Sequence, residues 1–97
     1  MRTKPIHPGI IFKEMVLEGF NISIDEAVKN LNVPEQTLSQ FINEKSVCSP
    51  EMALRIGRTT DTTPQFWLNL QTDLDLWYAE QKEFKVTPFP KISFNQS

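Results

Sequence analysis

Apolar residues recur through the first eighty positions at spacings of three and four, the period of helices that bury one face. Pro8, Pro34, Pro50 and Pro64 stand where four such stretches begin. Proline suits a first helical turn because the N–H it lacks would have no partner there. A fifth start carries the capping box Ser-Ile-Asp-Glu, with Ser23 as N-cap and Glu26 reaching back. The pattern predicts five helices: about Pro8–Glu18, stopping at Gly19; Ile24–Asn30; one within Val33–Lys45; Pro50–Thr60; and Pro64–Lys82. In the last, Phe66, Trp67, Leu70, Leu74, Trp77 and Tyr78 fall within about 120° of arc and read as its core stripe. Leu68, Leu76 and Ala79 form a second apolar strip on another side. No segment before residue 84 alternates as a strand does. Residues 84–97 lose the helical period, yet Phe84, Val86, Phe89, Ile92 and Phe94 make them too apolar for an ordinary solvated linker. The expected architecture is all-α, with one domain over residues 6–83 and an extended C-terminal tail over 84–97.

The third helix has an unusual polar side. In VPEQTLSQFINEK, Leu38, Phe41 and Ile42 form the apolar stripe. Gln36, Gln40 and Asn43 lie opposite, with Ser39 at the edge and Thr37 flanking. Solvated helix faces are usually Lys and Glu; this one is amide and hydroxyl. The preceding link, Asn-Leu-Asn-Val, must reverse the chain within a few residues, and Asn32 tolerates the left-handed backbone that such a reversal needs. A short helix, a tight turn and a second helix with a polar outer face is the helix-turn-helix pattern. Glutamine and asparagine present a donor beside an acceptor, matching the N6–H/N7 edge of adenine in the major groove, and Ser and Thr reach phosphates or bases. The bland alternative is a merely solvated polar face.

Composition narrows the classes. Ninety-seven residues, 39% of them apolar, suffice for one small helical core. Residues 1–58 balance seven Lys/Arg against seven Asp/Glu, and residues 59–97 hold three against five. The net charge of −2 supplies no global attraction to a polyanion, so any nucleic-acid footprint must be local. Cys48 is the single cysteine, which excludes an internal disulfide and suits a reducing, cytoplasmic setting. No apolar run has signal-peptide or membrane-span length. Catalytic chemistry is sparse. His7, just before a helix-starting proline, suits capping, and Cys48 has no second cysteine or histidine beside it. One Cys and one His make no structural zinc site, and three glycines make no phosphate loop. Neither enzyme activity nor a cofactor is expected.

TLSQFINEK, the order of five helices and the prolines resemble the phage Cro and repressor class of helix-turn-helix domains. HPGIIFKEM and TPQFWLNLQTDLDLW more narrowly resemble the HigA, or VapI-like, antitoxins. The resemblance spans about residues 6–80 and implies a dimeric antitoxin that binds double-stranded operator DNA, represses its own operon and neutralises an RNA-cleaving HigB-type toxin. It places Glu35, Gln36 and Gln40 at base-reading positions with Thr37 beside them, and Asn43 and Lys45 at the phosphate backbone. Ser23 opens the second helix, whose N–H groups can point at a phosphate. Glu35 could accept from cytosine N4 or simply favour the helix N-terminus. The chain departs from the family in having Ile24 where Gln is frequent, Gln40 where Arg is common and Glu44 where Gly is common. Two-fold symmetry would use apolar surface left over from the core: Leu68, Leu76 and Ala79, or the tail from Phe84 and Val86. A stand-alone phage-type repressor and an interaction module without DNA binding are the alternative readings.

Overall fold

The computed structural model describes residues 3–91, so Ile92 and Phe94 of the apolar tail lie outside the described residues. Among the described residues all regular structure is helical. Helix α1 (Pro8–Phe12) continues into a π-wound stretch, Lys13–Glu18. Then come α2 (Ile24–Leu31), α3 (Glu35–Ile42), α4 (Pro50–Thr60) and α5 (Pro64–Glu80).

Local chemistry accounts for most of the starts. Pro8, Pro50 and Pro64 each open a helix, and the side chains of His7, Ser49 and Thr63 accept from the N–H groups of Gly9, Met52 and Phe66. Ser23 Oγ accepts from Glu26 N at 3.1 Å. Such caps are worth about 1 kcal/mol each. Pro34 sits one residue further out than expected, as the N-cap of α3, where its carbonyl accepts from Thr37 N. The first helical stretch ends at Glu18 with Gly19 as its C-cap, where the sequence places its stop. Gly19 stays right-handed at φ −62°, while wide-turn bonds from Gly19 N to Glu14 O (2.9 Å) and Ile22 N to Leu17 O (2.8 Å) carry the chain onward. The reversal falls at Asn21, φ 54°.

The core gathers Phe12, Leu31, Leu38, Phe41, Ile56 and Trp67, all essentially inaccessible. The Phe12 ring lies 6.1 Å from both Phe41 and Trp67. Gly9 lets α1 meet α3 backbone to backbone: a Cβ there would overlap the Phe41 carbonyl oxygen. The stripe of α5 is narrower than the wheel suggests. Trp67, Gln71 and Leu74 are buried, whereas Phe66 is 40% and Tyr78 49% exposed. The rings of Phe66 and Tyr78 pack edge-on against Trp67 and Trp77 at 5.1 and 5.4 Å instead. Gln71 takes an interior place because it completes a polar network. Its Oε1 accepts from Cys48 N at 2.7 Å, and its Nε2 donates to Asp75 Oδ1 at 2.8 Å. Leu68, assigned to the outer strip, is half-buried and packs on the core, so Leu76 and Ala79 are the exposed members of that strip. Beyond α5, Phe84 and Val86 stand 71% and 78% exposed. No described helix is long and apolar enough to cross a membrane.

Candidate nucleic-acid interface

Two short helices and the turn between them build the site. Helix α2 buries Ala27 and Leu31, with Ile24 and Val28 packed alongside. Ile24 thus serves the core. Asn32 adopts the left-handed conformation at φ 55°, as its position in the link predicts, and its N–H donates to Val28 O at 2.9 Å. Helix α3 then buries Leu38 and Phe41 completely and half-buries Ile42. Those anchors turn Glu35, Gln36, Ser39, Gln40 and Asn43 to solvent, with Thr37 half-buried at the flank. The uncharged row therefore exists in space as a continuous outer face of α3.

The two ends of α3 are built differently. At the N-terminus Glu35 stands in the first turn, where a carboxylate complements the helix dipole. At the C-terminus Lys45 N donates to Gln40 O at 2.7 Å and Glu44 N to Phe41 O at 3.2 Å, a Schellman pair. Glu44 holds the left-handed position at φ 63° that glycine usually takes. The Asn43 amide donates to Ser39 O at 2.8 Å and Ser39 Oγ at 3.3 Å, so these two predicted contact residues are tied to each other at the helix end. Lys45 is exposed just past them. Ser23 is exposed too, but its hydroxyl caps α2, whose first turn carries Asp25 and Glu26. Those carboxylates already occupy the positive end of the α2 dipole.

Three supporting residues were not legible as such in the sequence. Arg55 of α4 donates from Nη1 to Leu31 O at 3.0 Å and Asn32 O at 3.2 Å, clamping the turn between α2 and α3. Its other nitrogens donate to Glu51 Oε2 at 2.9 and 3.0 Å, which helps hold the guanidinium at the turn. The Glu51/Arg55 spacing of four is visible in the sequence; its target across the fold is not. His7 does more than cap. Its Nδ1 accepts from Gly9 N at 2.8 Å while Nε2 donates to Ser46 O at 2.9 Å, tying the start of α1 to the loop after α3. Lys4, in the arm before His7, places Nζ 5.1 Å from the Tyr78 ring centroid and 5.8 Å from that of Trp77. Its pKa lies above the ordinary lysine value, first through a hydrogen bond with Tyr78 and also through attraction to Glu44.

Cys48 is enclosed, and desolvation pushes its thiol up from 9.0 to about 11. A neutral buried thiol is a small core residue, not a nucleophile. Among the described residues no group of three His, Cys, Asp or Glu side chains could hold a metal ion.

No family model matches the chain. It is 40% identical over 83 residues to an uncharacterized HTH-type transcriptional regulator of Haemophilus influenzae, covering 86% of this chain and 78% of the relative. Antitoxin HigA-1 of Vibrio cholerae is 30% identical over 101 aligned positions, covering 99% and 93% of the two chains. Among solved structures, Pseudomonas aeruginosa antitoxin HigA with the higBA promoter is 39% identical, superposes with a TM-score of 0.76, and shares 79% of this chain and 84% of its own. These relatives are regulators and antitoxins rather than enzymes. The chain belongs to the HigA family of helix-turn-helix antitoxins.

Proposed function

We propose that the protein is the antitoxin of a type II toxin–antitoxin pair: a homodimer that reads a palindromic operator through α3, represses its own operon and neutralises an RNA-cleaving toxin. The observation that carries this reading is the outer face of α3. Gln36, Ser39 and Gln40 are exposed together, while Leu38 and Phe41 are locked in the core and Asn32 and Arg55 set the turn. An amide row held rigidly on the second helix of a helix-turn-helix is suited to hydrogen-bonding base edges. Similarity to a HigA solved with its promoter supports DNA as the partner, and the name of the Vibrio cholerae relative supports a toxin as the other.

Residues 6–83 serve as the DNA-binding domain. In a symmetric pair the two α3 helices would sit about 34 Å apart, one turn of DNA. Leu76 and Ala79 on the outside of α5, and Phe84 and Val86 beyond it, are the exposed apolar groups available to join two copies. Leu68 contributes only the part of its surface that the core leaves free.

Gln36→Ala and Gln40→Ala test the reading. Each weakens operator binding by about 1–3 kcal/mol and relaxes sequence preference. Titration against operator and scrambled DNA distinguishes the outcomes. Equal losses on both DNAs would remove these residues as base readers.

A further inference from the structure

The exposed charges on α3 and its C-terminal cap raise an electrostatic problem. Glu35 and Glu44 oppose a phosphate backbone, and Lys45 alone offsets them. A cation from outside the helix-turn-helix reaches the same edge. His7 Nε2 is bonded to Ser46 O, so the arm three residues upstream is anchored beside the loop that carries Lys45. Lys4 lies in that arm, with its ammonium over the Tyr78 and Trp77 rings at 5.1 and 5.8 Å. Tyr78, Glu44, Lys45, Ser46 and His7 border one shallow depression. Glu44 is also among the groups that act electrostatically on Lys4. Lys4, held over Tyr78, and Lys45 thus come to the same side of the domain from two different elements.

We propose that Lys4 is a DNA-phosphate contact, a second lysine that pairs with Lys45 at the C-terminal edge of α3. The proposal rests on α3 being the DNA-reading helix. Lys4 is exposed, so the rings orient it without removing it from water. An ammonium has three N–H donors, and stacking on an aromatic face leaves donors free for a phosphate oxygen. Restricting a long side chain before the ligand arrives lowers the entropy lost on binding. Trp77 and Tyr78 thereby act as a rest for a cation aimed at the backbone of the duplex.

A competing role for Lys4 is neutralisation of Glu44 with no contact to DNA. A cycle separates the two. Binding of the full-length chain to operator and to scrambled DNA is measured across a salt series for wild type, Lys4→Ala, Lys4→Arg, Lys45→Ala, Glu44→Gln and the Lys4→Ala/Glu44→Gln double variant. Lys4→Ala is expected to reduce the slope of log K against log[salt] by about one unit per protomer, about two for the bound dimer, as Lys45→Ala should, and equally on both DNAs. Lys4→Arg restores the slope, and the loss persists in the Glu44→Gln background. An unchanged slope in Lys4→Ala, or a loss that disappears once Glu44 is neutral, overturns the proposal. If the wild type binds neither DNA, the DNA reading of α3 falls and Lys4 with it. If wild type and Lys45→Ala behave as expected and only Lys4→Ala does not, the phosphate role of Lys4 alone is lost.

Discussion

Glu44→Gly isolates one backbone cost inside the site. Glu44 occupies the left-handed C′ position of α3 at φ 63°, clasped by the bonds Lys45 N to Gln40 O and Glu44 N to Phe41 O. A residue with a Cβ costs about 1–2 kcal/mol in that conformation. Glycine removes this cost but loses more freedom on folding, which offsets about 0.4–1 kcal/mol. The exposed Glu44 carboxylate adds little to stability through its neighbours, because surface charge pairs are worth about 0–1 kcal/mol and commonly near the lower end. The net expectation is stabilisation of about 0.5–1 kcal/mol, or about 2–8 °C in Tm for a domain of this size. Glu44→Ala is the control: it removes the same charge and keeps the Cβ, so it gains nothing. Urea and thermal unfolding should be compared at one protomer concentration, since an assembling protein has a concentration-dependent midpoint. Any DNA-affinity gain from deleting the carboxylate should appear equally in both variants, whereas the stability gain should appear in glycine alone. A Glu44→Gly protein no more stable than Glu44→Ala would show that the left-handed backbone at this position carries no cost.

Two further outcomes follow from the core. Gly9→Ala forces a Cβ onto the Phe41 carbonyl and should destabilise by about 1–3 kcal/mol, displacing α3 as well; an unfolding midpoint equal to wild type would show that α1 and α3 separate freely. Cys48 should react with iodoacetamide at pH 7.5 far more slowly in the folded than in the urea-unfolded chain, because its folded pKa is about 11. The pH dependence has a definite sign: the unfolded thiol ionises from its ordinary 9.0, so the neutral buried thiol's contribution is complete below pH 9 and declines as pH rises towards 11. Similar alkylation rates in the two states, or no decline in the wild type relative to Cys48→Ala over that range, would contradict the burial of this side chain.

Local rules carried much of the architecture. The apolar period, the prolines and the hydroxyl caps suffice for the order of helices, because each depends on residues within one or two turns. Asn32 was legible for the same reason: a two-helix link that short needs a residue tolerant of positive φ. The polar face of α3 was legible too, since burying Leu38 and Phe41 turns Gln36 and Gln40 outward whatever lies behind them. Partners distant in sequence were decided only by the fold. Gln71 is interior because a Cys48 amide, 23 positions away, needs an acceptor, whereas Phe66 and Tyr78, which the wheel assigns to the stripe, are exposed. Leu68 faces the core because α5 packs across α4 and α1, a direction that periodicity leaves open. Arg55 holding the turn, His7 holding Ser46, and Lys4 resting on Trp77 and Tyr78 each join segments separated by 23 or more residues. A helical period specifies which side of a helix is buried, but the donors and acceptors that meet across helices are set by how those helices pack.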